Sequence, residues 1–321
     1  MFYILSKLPV KSLKKCACVC KSWSLLFQNP SFMSIYRSKF LSSHEDIPLM
    51  VLYREDQNEL YSLSGKKFEK MVKLDWPPPI ERNDIVCLLE SGSINGVLFL
   101  CQGSTKVVLW NPATREFKVV PPSLFELQPN DRAHVRFNGF GYDPVRDDYK
   151  VILQVLYCDY IWEIFSLRSN SWRELDVNVP CFPRSYNLSE QVYLDGASHW
   201  WHRGTRDDGE EYLVSFDMRN EVFFATAMPP RRTNTFYISV LGEMGVKESW
   251  IKLFVVGPLS CVEYPIAMGK RSIIFRGIDS ELVWFDLSTQ KIEEVNVTGG
   301  RFYSWILNYS KSLLPIVGIQ K

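Results

Sequence analysis

The sequence predicts a mainly β protein, a set of small antiparallel sheets preceded by a short helical module. Three observations carry this. A pattern of aromatic residue, small polar residue, polar turn and apolar residue recurs five times along the chain. The flanks of these segments alternate apolar and polar residues at the period of a strand. The first forty residues instead show helical spacing and contain no Asp or Glu.

The helical module comes first. Leu13, Cys16, Ala17, Cys20, Trp23, Leu26 and Phe27 recur at the three- and four-residue steps that form one helical stripe. Cys16 and Cys20 fall on that stripe and Cys18 does not. A tetrahedral metal site needs several converging ligands, usually from CxxC-type turns, and the nearest histidine is His44. These thiols therefore read as small buried hydrophobes. Asn29 and Pro30 form a helix start, a capping side chain followed by proline in the first turn, and Phe32, Ile35, Tyr36 and Phe40 continue an apolar stripe. Such short helices cannot close a core alone, so they must dock on the rest of the chain or on another protein.

Charge separates this module from the remainder. Residues 1–40 hold seven Lys and Arg, which is +7, whereas the rest carries 30 basic against 36 acidic residues, which is −6. The cationic helices suit an acidic protein partner, and no base-reading motif accompanies them to suggest nucleic acid. With 321 residues and 46% hydrophobic content the chain can bury a large core. Its eight cysteines lack framework spacing and suit reduced thiols in a cytoplasmic or nuclear protein. The apolar start MFYIL is broken by Lys7 and Pro9, so neither a membrane span nor a secretory signal is expected.

The five segments are YSLSGKKF at Tyr61, WNPATREF at Trp110, FSLRSNSW at Phe165, FDMRNEVF at Phe216 and FDLSTQKI at Phe285. Their starts lie 49, 55, 51 and 69 residues apart, and the last gap contains a further apolar strand around Trp250. Tyr149, Val151, Leu153, Val155 and Tyr157 alternate along one flank, rich in β-branched and aromatic residues. Each repeat then reads as a hairpin in a small sheet that cannot bury both faces alone, so successive sheets stack radially. The period matches a kelch-type β-propeller, with room for about six blades from Phe40 onward. A paired β-sandwich is the alternative fold.

Catalytic signatures are absent from the sequence. There is no GxSxG elbow, no GxxxxGK[ST] loop and no HExxH helix. Gly139-Phe140-Gly141 is half of a dinucleotide fingerprint, but Tyr142-Asp143-Pro144 follows where a helix should begin. In HWWH, His199 and His202 fall on opposite faces of a strand and do not converge on a metal. No cofactor is implied. Trp200, His202, the acidic group Asp207, Asp208, Glu210 and Glu211, and Tyr264 are the candidate contacts for a protein partner.

The same residues carry a family resemblance. Leu8-Pro9-Val10-Lys11-Ser12-Leu13, Cys18-Val19-Cys20-Lys21-Ser22-Trp23, then Asn29-Pro30 with Phe32, resemble the plant F-box. The resemblance implies that Ile4, Leu5, Leu8, Pro9, Val10, Leu13, Val19, Cys20 and Trp23 bind the acidic Skp-type adaptor of a cullin ubiquitin ligase. Relative to the family, the usual opening Leu-Pro turn would precede Met1, which leaves a short first helix and a module of residues 1–40. Trp110-Asn111-Pro112, Phe140-Gly141-Tyr142-Asp143-Pro144 with Asp148-Tyr149-Lys150-Val151, Phe165-Ser166-Leu167 with Trp172, and Leu194-Asp195-Gly196 with His199-Trp200 resemble the plant F-box-associated domain, here residues 41–321. The resemblance implies a non-catalytic substrate receptor. A propeller lectin or hydrolase, or an F-box relic that no longer docks, are the competing readings. Within the family the look is nearest the S-locus group of pollen, which implies self-incompatibility and a basic style ribonuclease as target.

Overall fold

Each repeated segment begins in the third strand of one antiparallel sheet. The computed structural model describes residues 29, 32, 49–53, 59–64, 70–80, 86–88, 92–102, 106–125, 134–156, 160–177, 191–203, 211–229, 235–268, 272–278, 282–286, 289–295, 304–312 and 316. The first sheet holds β1 (Leu49–Tyr53), β2 (Glu59–Ser64) and β3 (Lys70–Leu74). The second holds β4 (Val86–Leu88), β5 (Leu98–Gln102), β6 (Lys106–Asn111) and β7 (Glu116–Val119). The third holds β8 (His134–Asp143), β9 (Asp148–Leu156), β10 (Tyr160–Ser166) and β11 (Ser171–Glu174). The fourth holds β12 (Gln191–Leu194), β13 (Ala197–Arg203), β14 (Glu211–Asp217) and β15 (Val222–Ala227). The fifth is the pair β16 (Phe236–Leu241) and β17 (Trp250–Val256), found where the sequence places a strand around Trp250. The sixth holds β18 (Val262–Met268), β19 (Ser272–Gly277), β20 (Leu282–Asp286) and β21 (Ile292–Val295). Finally β22 (Ser304–Asn308) returns to pair with β1, from Leu49↔Asn308 to Tyr53↔Ser304, so the first sheet also has four strands.

The hairpins of the repeats share a local cause. Asn111 Oδ1 accepts the backbone N–H of Ala113 and of Thr114, at 3.0 and 3.3 Å. Asp217 Oδ1 does the same for Arg219 and Asn220, and Asp286 Oδ1 for Thr289. Such side chains imitate a backbone turn. Four residues on, Arg115, Glu221 and Gln290 take positive φ and donate back to the carbonyls of Asn111, Asp217 and Asp286, each at 2.8 Å. The polar stretch in the segments at Trp110, Phe216 and Phe285 is this turn.

Strand alternation then builds the ring. In the second sheet Phe99, Cys101, Val107 and Leu109 pack with Phe140, Tyr149, Val151 and Phe165 of the third. The alternate residues Leu98, Leu100, Val108 and Trp110 pack with Leu60, Leu307 and Tyr309 beside the first. The third sheet repeats the division, since Ile152, Trp162 and Ile164 face Trp200, Val214 and Phe216 of the fourth. A period of two thus gives each sheet two buried faces with two different neighbours. Phe236 and Val256 of the fifth sheet join Ile273, Phe275 and Phe285 of the sixth, and β18 lies against β22. This is radial stacking closed by the last strand, not two sheets face to face, and it removes the paired sandwich. Of about six expected blades, five are four-stranded sheets among the described residues and one, the fifth in chain order, has two strands.

The segment after β22 straps the ring. Ser310 N donates to Ser93 Oγ at 2.8 Å and Asn111 Nδ2 to the Ser312 carbonyl at 3.0 Å. Gly96, at φ +82°, lies under Ser312, where a Cβ would fall 2.8 Å from the Ser312 nitrogen. Among the described residues no helix is long and apolar enough to cross a membrane.

Candidate functional site

Following the chain through its antiparallel pairs gives the ring two ends. The tight turns 112–115, 144–147, 167–170, 195–196 and 218–221 lie at one. Contacts between sheets confirm this, because Arg146 Nη1 donates to the Arg219 carbonyl at 2.6 Å and Gly196 lies beside Pro144. At the opposite end strands are joined by 103–105, 157–159 and 204–210, which are outside the described residues. Leu49, opening β1, pairs with Asn308 just before the strap on the turn end, so the chain enters the ring at the turn end.

A buried ionic clasp holds the turn end between the third and fourth sheets. Lys150 Nζ donates to Asp143 Oδ2 at 2.9 Å, to Glu221 Oε1 at 2.9 Å and to the Met218 carbonyl at 2.6 Å. Arg146 Nη1 reaches the same Asp143 oxygen at 2.8 Å, and Arg173 pairs with the second oxygen of Glu221. Burial alone would raise the Asp143 value, but hydrogen bonds from Arg146 and Lys150 outweigh it and hold the carboxyl at about 2. Glu221 is lowered in the same way, its burial outweighed by Arg173 and Lys150. The neighbouring contacts are also polar and buried: Gln191 bonds both the N–H and the carbonyl of Phe140, and Tyr193 Oη donates to the Tyr142 carbonyl. These groups are mutually satisfied and aimed between sheets, so they rigidify the ring rather than face a reactant.

The residues singled out in the sequence separate on this frame. Ile4, Leu5, Leu8, Pro9, Val10, Leu13, Val19, Cys20 and Trp23 lie outside the described residues. The nearby helix start is seen: Phe32 N donates to Asn29 Oδ1 at 3.2 Å and Phe32 is buried. Trp200 is buried with its ring over Gly139 and Ile152 of the third sheet. His202, two residues on, shares that face of β13 and is buried as well. This corrects their reading as partner contacts, because in a sheet stacked on both sides both strand faces turn inward. His199 points the other way, its Nδ1 2.8 Å from Ser215 Oγ, so the two histidines do diverge. Burial, opposed by a hydrogen bond involving the Leu194 backbone, lowers the His199 value and keeps the ring neutral. Asp207, Asp208 and Glu210 fall outside the described residues, and Glu211, half-buried, opens β14.

Tyr264 is 47% exposed. It pairs across β18 and β19 with Arg276, whose guanidinium lies 5.9 Å from the ring centroid and whose Nη1 is 3.2 Å from the phenol oxygen. Arg276 also meets Glu263 at 3.5 Å. Because β20 and β21 join by the turn-end hairpin, β19 finishes at the loop end, and Tyr264, His202 and Glu211 all lie toward that end. Sequence reasoning passed over Arg276. Only the cross-strand register couples it to Tyr264, and no local motif announces that register.

A closed ring of radially stacked antiparallel sheets, entered by the chain at one end, is a β-propeller. The chain belongs to the F-box-associated β-propeller family: the family model described as "F-box associated beta propeller domain" matches residues 88–248. The F-box domain model matches residues 1–34. The chain is 26% identical to F-box protein CPR1 of Arabidopsis thaliana over 92% of its own length and 82% of that protein's. Another Arabidopsis thaliana F-box protein is 30% identical, covering 91% of this chain and 83% of that one. An Arabidopsis thaliana F-box/kelch-repeat protein is 28% identical over 68% of this chain and 53% of its own length. Among solved structures the chain is similar to the WD40 domain of Sif2, with a TM-score of 0.29 over 77% of this chain and 68% of that one, at 9% identity. An oligogalacturonate lyase of Vibrio parahaemolyticus gives a TM-score of 0.39 over 79% and 80%, at 8% identity. At these scores neither likeness bears on fold or chemistry.

Proposed function

We propose that the protein is a substrate receptor of a Skp-cullin-F-box ubiquitin ligase, non-catalytic itself, working in the cytoplasm and nucleus. The F-box, residues 1–40, holds the Skp-type adaptor through Ile4, Leu5, Leu8, Pro9, Val10, Leu13, Val19, Cys20 and Trp23. The propeller, residues 41–321, presents a target protein for ubiquitination. The observation that carries this reading is that the chain runs from an F-box match into the turn end of a closed scaffold. The opposite end is thereby left to a second partner. A charge of +7 on the first forty residues complements an acidic adaptor, and −6 on the remainder complements a basic target.

The test is adaptor retention. The double variant Leu8→Asp, Trp23→Ala should lose the adaptor in a pull-down while the propeller keeps its melting temperature. Undiminished retention sinks the assignment. A style ribonuclease is the finer expectation for the target, with Asp207, Asp208, Glu210, Glu211 and Tyr264 at the contact. If residues 41–321 bind such ribonucleases no better than an unrelated basic protein of equal charge, that target is wrong and the receptor reading stands.

A further inference from the structure

Two of the cysteines stand opposite each other in one ladder. In the second sheet β4 and β5 run antiparallel, with Val86 opposite Gln102, Cys87 opposite Cys101 and Leu88 opposite Leu100. Direct partners in such a pair have Cα atoms about 4.5 or 5.5 Å apart, and a disulfide spans about 4.4–6.8 Å between its Cα atoms. Strand alternation assigns both positions to one face. Val86, Leu88, Leu98 and Leu100 pack toward the first sheet, so positions 87 and 101 belong to the face turned toward the third. There Cys101 lies with Phe99, Val107 and Val155, 1% exposed, as a thiol outside any disulfide. Residues 88–100 separate the pair along the chain, so no CxxC spacing announces it and only the register brings the two together.

This position favours a reversible bond over a permanent one. β4 is an end strand of its sheet, three residues long, and its register pairs are all with β5. A strand so short opens locally at less cost than the sheet unfolds, and that opening gives an oxidant access to buried Cys101. Direct cross-strand partners hold their Cβ atoms about 4.5–5.5 Å apart, whereas a disulfide prefers about 3.5–4.5 Å. Closing the bond must therefore draw β4 toward β5. Disulfides strained in this way are the easily reduced ones, which serve as switches rather than staples.

We propose that Cys87 and Cys101 form a redox-sensitive pair, closed to a disulfide by a peroxide and reopened by glutathione, which pins β4 to β5 in the oxidised protein. One thiolate attacks a peroxide oxygen and the O–O bond breaks, leaving a sulfenic acid and, with the thiol's proton, water. The second thiol attacks the sulfenic sulfur; the S–O bond breaks and a second water departs as the S–S bond forms. The two sulfurs have together lost two electrons, and the peroxide has gained them. Reopening runs by thiolate exchange. One glutathione takes a sulfur into a mixed disulfide, and a second releases it as oxidised glutathione.

The tryptic peptide 83–106 contains residues 87 and 101 and no other cysteine. The full chain is treated with hydrogen peroxide, its remaining thiols are alkylated, and the mass of that peptide is measured. It should carry neither alkyl label and be two hydrogens lighter than the dithiol, and glutathione should restore both labels. Amide hydrogens of 86–88 should exchange at least about tenfold more slowly in the oxidised chain, because the local opening is then blocked. Cys87→Ala, which leaves buried Cys101 in place, should abolish the lighter peptide and the change in exchange. Cys261→Ser, at an exposed cysteine, should alter neither. The proposal is overturned by full labelling of the peptide after peroxide, by a bond from residue 101 to some other cysteine, or by closure only in the urea-unfolded chain. Closure that glutathione does not reverse, or exchange slowed equally in Cys87→Ala, overturns it as well.

Discussion

Lys150 Nζ lies 2.9 Å from Asp143 Oδ2, with both side chains buried, and this pair joins the third sheet to the fourth through Glu221 and the Met218 carbonyl. A lysine so placed has left its hydration behind, and only the full set of partners makes that tolerable. Lys150→Met takes the buried cation from two carboxylates, leaving Asp143 to Arg146 and Glu221 to Arg173 at the surface, and should cost about 3 kcal/mol in urea unfolding. Adding Asp143→Asn and Glu221→Gln to it should recover part of the loss, since no uncompensated charge then remains. A single-variant cost below about 1 kcal/mol would show the clasp to be ornamental.

Acid should act in two steps. Asp143 is held at about 2, below the usual 3.8, so the native state binds its proton less readily than the unfolded chain. The stability it contributes is complete above about pH 4 and lost as pH falls toward 2. Glu221, also lowered, adds to that step. His199 is lowered from 6.5, so below that pH the unfolded chain takes up a proton that the folded one refuses, and stability begins to fall. Urea midpoints measured from pH 7 to pH 3 should show both declines. His199→Gln should flatten the upper step and Asp143→Asn the lower; a profile unchanged by either variant contradicts the assignment.

At Gly96 both backbone and space are constrained. The positive φ disfavours any other residue, and an added Cβ would fall 2.5 Å from Ser312 Cβ and 2.8 Å from its nitrogen. Gly96→Ala should therefore cost more than the roughly 1 kcal/mol of conformational strain alone. Proteolysis near the carboxyl end should accelerate, because the strap over the second sheet must shift. Equal cleavage rates would mean that the strap does not depend on this contact.

Trp172→Phe and Trp250→Phe keep a ring and remove the indole donor. Each should destabilise by about 1 kcal/mol through the orphaned carbonyl of Pro121 or Ala227. Similar losses are expected because each hydrogen bond ties a sheet to the one before it, the third to the second and the fifth to the fourth. A neutral Trp250→Phe would separate the two.

Much of this protein is determined by the sequence by itself. Periodicity of two and of three to four residues separates strands from the helix start at Asn29, and the polar turns with Asn111, Asp217 and Asp286 are legible because those side chains form their turns locally. Recurrence of the turns predicts radial stacking, since a small sheet with two apolar faces needs two neighbours. Tertiary structure alone decided the rest. Trp200 and His202 look available in HWWH, yet stacking buries them, whereas Val192 and Leu194 look like core and are 57% and 59% exposed. Arg276 reaches Tyr264 only through a cross-strand register, and Lys150 meets Glu221 only because two sheets abut. Exposure depends on which neighbour stands across a gap, and that is a property of the assembled ring that no stretch of local sequence contains.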